Sequence, residues 1–297
     1  MVRKRKIDAQ KYIRRSLRHH REWMRDVSAE IWGYAAEAIP RKLAAKRWED
    51  FFKISISLGQ AGIFFGIRGI VSLVEGNKQG WQDILFSIDF IFWDAKIEFR
   101  VARWILETTE NPKLPLAEGI HLKLLANLFC VSSKWRDEAA RIFKWALSVP
   151  EMIGQDYWQE RRFEPFVASC MDHLKQPWTK QEAKKLPDPY RAVALSWNDD
   201  AQLVKALYEV CEYHCEYMYD HPQEWDPPFF EPPFDLLPGE VMLVNWMRSL
   251  QGKPPLEVDH PLTRVLPLSG WELPEIKEEH EWIREVAKAY RRFYPHE

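Results

Sequence analysis

Cysteine is scarce in this chain: Cys130, Cys170, Cys211 and Cys215 are the only four in 297 residues. So few thiols, so widely spaced, exclude a disulfide scaffold. Glycine is sparse as well, at 12. No glycine turn leads into Gly-Lys-Ser/Thr and no strand precedes a GxGxxG, which excludes a phosphate loop and a dinucleotide fold. The basic amino terminus lacks the apolar stretch of a secretory signal, and together with reduced thiols this leads us to expect a cytosolic protein. Catalytic signatures are missing too. His280-Glu281 is followed by Arg284 where HExxH needs histidine, and there is no GxSxG, kinase loop or Ser–His–Asp order. Asp259-His260 is a lone acid–histidine dipeptide, too little to define a site. We expect a protein that is not an enzyme and carries no cofactor.

The composition, 46% hydrophobic and 29% charged with 15 Trp, is that of a globular chain with aromatic-rich packing. We read it as a single helical domain, 1–297, divisible at most into basic, aromatic N-terminal helices (1–110) and acidic C-terminal helices (111–297). The net charge of −2 hides a polarity. Met1 to Arg25 holds ten Lys and Arg against Asp8 and Glu22, net +8, which leaves −10 for the remainder.

Ile13, Leu17, His20, Met24, Val27 and Ile31 form the stripe of one long amphipathic helix. Lys11, Arg14, Arg18, Arg21 and Arg25 share another face, suited to phosphates or to the acidic half of the same chain. Pro40 ends this helix or opens the next. Ile54 to Val74 is long and apolar, but Gln60, Arg68, four Gly and three Ser argue for a buried core helix rather than a membrane span. Gly59, Gly62, Gly66 and Gly69 would give it a flat strip for close helix packing. Trp81 to Glu107 reads as helix; its Asp89 and Asp94 sit about 140° apart and suit polar contacts better than acid–base work.

Further helices are expected at Leu116–Phe129, Ser133–Leu147 and Glu151–Leu174. Thr179 and Glu182 form a capping box, Tyr190 to Trp197 resumes helix, and Asn198 to Asp200 open the next one. Pro238 and Gly252 bracket a helix at Gly239–Leu250, and the last runs through Trp282 and Phe293. The class is all-α: an array or bundle of antiparallel helices with two long irregular loops near the carboxyl terminus, His221–Leu237 and Lys253–Pro274.

One stretch stands apart. From Ala206 to Met247 there is no Lys or Arg, yet there are nine acids interleaved with aromatics. Val204, Leu207, Tyr208, Cys211, Cys215 and Met218 form an apolar helical stripe, and Glu209, Glu212, Tyr213, Glu216 and Asp220 fall opposite. Like charges at i,i+4 repel, so folding gains nothing from the clustering. Cys211, His214, Cys215 and His221 have thiol spacing compatible with zinc, but the stripe puts both thiols in the core; no metal is expected. The residues we expect to meet a partner are Glu209, Glu212, Tyr213, Glu216, Tyr217, Asp220, Glu224, Trp225 and Asp226.

The run Pro233-Phe234-Asp235-Leu236-Leu237-Pro238-Gly239-Glu240-Val241, then Trp246-Met247-Arg248 and Asp259-His260-Pro261-Leu262, resembles the carboxyl-terminal part of helical bacterial immunity proteins of polymorphic-toxin and type VI secretion systems. The match spans Asp226 to Leu268, about a seventh of the chain, and carries no residue roles. It implies a cytoplasmic protein that binds and blocks a cognate toxin or effector domain, such as a basic nuclease, with no catalysis and no membrane of its own. The competing readings are a helical scaffold or adaptor without a toxin, and nucleic-acid binding through the basic N-terminal helix.

Overall fold

The four glycines of the long apolar helix organise the first half of the structure. In the computed structural model, which describes residues 7–110, 119–149, 152, 157, 161–218, 227–275 and 277–296, that helix is α4, Ser55–Val74, and it packs along α5, Gly80–Thr108. A Cβ at Gly59 would meet Asp94, at Gly62 Ile91, at Gly66 Ser87 and at Gly69 Ile84, each under 3.0 Å. One residue number climbs as the other falls, so the pair is antiparallel, and only glycine permits the approach. Arg68, the charge that argues against a membrane span, makes a bidentate pair with Asp83 at 2.7 and 2.6 Å. By length and composition α4 could cross a membrane; in the fold 67% of its apolar window is buried.

The amino-terminal stripe is carried by two helices, not one. α1, Ala9–Asp26, stops at Val27, and α2, Ser28–Leu43, takes over. The cause is local: the Ser28 hydroxyl donates to the Met24 carbonyl at 2.5 Å, taking the acceptor that Ser28's own N–H would use. Pro40 lies inside the last turn of α2 rather than at a boundary. There it forgoes the N–H bond to the Ala36 carbonyl, and the helix ends within the next turn. A short turn, α3 (Trp48–Phe51), leads through a 3-10 turn into α4.

After α5 come α6 (Gly119–Val131), α7 (Arg136–Ser148), α8 (Phe163–Asp172) and two short pieces, α9 (Lys180–Ala183) and α10 (Tyr190–Leu195). α9 opens with the expected capping box between Thr179 and Glu182. α11, Asp200–Glu216, is capped by Asp199, whose carboxylate accepts from Gln202 N–H. α12 spans Gly239–Leu250 and α13 Glu281–Phe293. No strand occurs among the described residues, so the class is all-α.

A single apolar core runs from Ala9 to Tyr290. Tryptophans link its elements: Trp32 of α2 stacks on Phe64 of α4 and on Trp282 of α13, with ring centroids 4.8 and 5.1 Å apart. Asp89 and Asp94 do not act as a pair. Asp89 accepts from Lys134 and from the Trp135 indole N–H, at 2.9 and 2.6 Å, while Asp94 turns toward α4 and α6.

Candidate interaction surface

α11 carries the partner-facing residues expected from the sequence, and its seat in the fold decides which of them reach solvent. Leu203, Ala206, Leu207, Val210, Cys211, Tyr213, His214 and Cys215 are all buried. At ~100° per residue they cover an arc of about 200°, wider than the apolar stripe alone. Tyr213 is therefore in the core at 6% exposure, packed on Tyr190 and Phe229, whereas Tyr208 is 42% exposed. This reverses the two tyrosines relative to the sequence reading. The reason is that α10 and the 227–238 segment cover the tyrosine edge of the helix as well as its apolar face.

The remaining exposed arc holds Lys205, Tyr208 and Glu209, with Glu212 and Glu216 half-buried along it. Glu212 is engaged: its Oε1 lies 3.1 Å from His260 Nε2. Tyr208 stands edge-on to the same imidazole at 4.7 Å. Tyr217 is half-buried and packs on Tyr213 at 4.4 Å. Asp220, Glu224, Trp225 and Asp226 lie outside the described residues.

Two more of the nine acids are not at the surface at all. Asp235 and Glu240 are each 1% exposed. Asp235 Oδ2 accepts from the Ser16 hydroxyl at 2.5 Å and meets His20 Nε2 at 2.7 Å, tying α1 to the segment before α12. Glu240 meets His214 Nδ1 at 2.8 Å and takes the Tyr190 hydroxyl at 3.2 Å. His214 Nε2 lies 3.1 Å from the Asp235 carbonyl, and its ring stacks on Phe229 at 3.8 Å. Buried acids need such partners, because an unpaired carboxylate in the core costs several kcal/mol.

Ser16, His20 and Asp235 are not a nucleophilic triad. A triad puts serine and carboxylate on opposite ring nitrogens, whereas here both meet Nε2, and the serine proton points to the carboxylate. The zinc alternative is also displaced: Cys211 and Cys215 are buried, burial pushes both thiols up, and His214 is held by Glu240. His221 lies outside the described residues.

The loop after α12 is pinned to this platform. Asn245 exchanges two hydrogen bonds with Leu256, at 3.1 and 2.7 Å, and Arg248 Nε donates to the Pro254 carbonyl at 3.0 Å. Asp259 pairs with Arg264 rather than with His260. His260 instead accepts the Leu262 N–H on Nδ1 at 3.0 Å, and burial holds its pKa below 6.5.

The sequence reading missed these histidine–carboxylate ties. One signal was there: His20 falls on an apolar stripe, and a buried imidazole must find a partner. Comparisons with protein-family models, curated proteins and solved structures found no match.

Proposed function

We propose that the chain is a cytoplasmic toxin-neutralising protein that binds a cationic toxin or effector domain through the exposed arc of α11. The observation that carries this reading is the pairing of exposed Tyr208 with Glu209 and the adjoining Glu212 and Glu216 on one face. That face belongs to a helix whose other side is fixed by the His214–Glu240 contact, while His260 holds Glu212 at the edge of the face itself. A rigid acidic face with an aromatic anchor suits a basic partner: charge speeds encounter and a buried ring slows release. The resemblance of residues 226–268 to immunity proteins favours the same class.

The test is a pull-down of the chain from its own organism at low and at high salt, followed by affinities of Glu209→Lys and Glu216→Lys. The expected result is one stoichiometric, toxic partner, bound at least about tenfold more weakly by the double reversal. An unchanged affinity would remove α11 from the interface. A second reading rests on α1, where Lys11, Arg14, Arg18, Arg21 and Arg25 are all exposed. It predicts recovery of nucleic acid with a steep salt dependence.

A further inference from the structure

The junction of α4, α5 and α6 assembles a donor set that the sequence does not advertise. Asp94 and Glu98 lie one helical turn apart on α5, and His121 comes from the first turn of α6. Their ligand atoms all lie within 4.8 Å of one another, and His121 Nε2 is 3.8 Å from Asp94 Oδ1. Asp94 is 7% exposed. Two carboxylates at i,i+4 repel each other on a helix, so their convergence on an imidazole needs a reason beyond helix stability.

We propose that Asp94, Glu98 and His121 bind a divalent transition ion of the zinc class. The donor chemistry selects the ion: imidazole suits Zn²⁺, and two carboxylates neutralise its charge, whereas Mg²⁺ and Ca²⁺ favour all-oxygen shells. The spacing fits as well. Donors about 2.1 Å from a common ion stand roughly 3.4 Å apart in a tetrahedron, and the separations here, 3.8 Å for His121–Asp94 and none above 4.8 Å, lie a little above that. Three protein ligands leave the fourth position to water.

The surroundings are shaped for these groups. Ser55, at the start of α4 and 1% exposed, donates its hydroxyl to Glu98 Oε1 at 2.5 Å, the kind of outer contact that orients a ligating carboxylate. Gly59 lies against Asp94, and any Cβ there would sit 2.8 Å from Oδ2. The α4 backbone thus leaves the carboxylate its room. Bound ion would clip α5 to α6 and, through Ser55, both to α4. No cysteine belongs to this donor set.

The experiment uses the untagged full chain, stripped with chelator and dialysed against Zn²⁺, with bound metal counted by mass spectrometry and affinity by calorimetry. One zinc per chain is expected, with no comparable uptake of Mg²⁺. Asp94→Asn and His121→Ala should each weaken binding at least about tenfold, and Ser55→Ala, which removes only the outer contact, by about tenfold. Helical circular dichroism of each variant checks that the fold is intact. A wild-type chain that takes up no zinc overturns the proposal, whatever the variants do. Equal zinc content in wild type and a folded His121→Ala chain overturns it too.

Discussion

Two histidines do the same unusual job. His260 Nδ1 accepts the N–H of Leu262, and His280 Nδ1 accepts that of Trp282, capping α13. A ring nitrogen accepts only while unprotonated. The pKa of each is held below 6.5, chiefly by burial; around His280 the rings of Phe65, Phe86 and Phe90 supply it. In the window between the lowered native value and 6.5, the unfolded chain binds more protons than the native one. Stability is therefore lost as pH falls through that window. Thermal melts should shift to lower temperature from about pH 7.5 to about pH 5.5, and His280→Gln should flatten part of that slope. A melting temperature that rises on acidification across this range would contradict the assignment of neutral acceptors.

Glycines that look alike in a helix are not alike in the fold. At Gly69 a Cβ would stand 2.7 Å from the Gly80 carbonyl oxygen and 2.9 Å from the Ile84 nitrogen, both backbone atoms that cannot swing aside. Gly69→Ala should destabilise the chain by about 1–3 kcal/mol in urea unfolding. Gly33 of α2 has nothing within 4 Å, so Gly33→Ala should stabilise by about 0.5–1 kcal/mol. Equal effects at the two sites would mean that α4 and α5 do not pack through the glycine strip.

That strip was legible in the sequence because its period is local. So were the Thr179 and Asp199 caps and the Pro238–Gly252 bracket, each of which is a rule about neighbours in the chain. The break at Val27 was not legible, since the stripe continues across it and a single serine hydroxyl decides the matter. The seating of α11 was not legible either. Which edge of that helix is covered depends on Tyr190 and Phe229, which no periodicity within residues 200–216 can reveal.

Charge at the scale of the molecule follows the same logic. Counting acids from Ala206 to Met247 gives a strongly negative segment, but the fold withdraws Asp235 and Glu240 to the interior and sets Glu212 against a histidine. The surface is milder than the sequence implies. The acid that matters most for assembly is Asp235, bonded to His20 across 215 positions. Asp235→Ala would leave the buried Ser16 and His20 with only each other as partners and should cost about 2–4 kcal/mol. Limited proteolysis would then cut first among the basic residues of α1, and unchanged cleavage would show that the apolar face of α1 holds it alone.

The same tie sets an order of events on the ribosome. Ser16 and His20 leave the ribosome 219 and 215 residues ahead of the carboxylate that receives them. Until then α1 has α2 and α4 to pack against, while its buried Ser16 and His20 still await their carboxylate. Docking of Ser16 and His20 onto Asp235 is thus a late step, and translation that stops short of Asp235 would leave α1 without this tie.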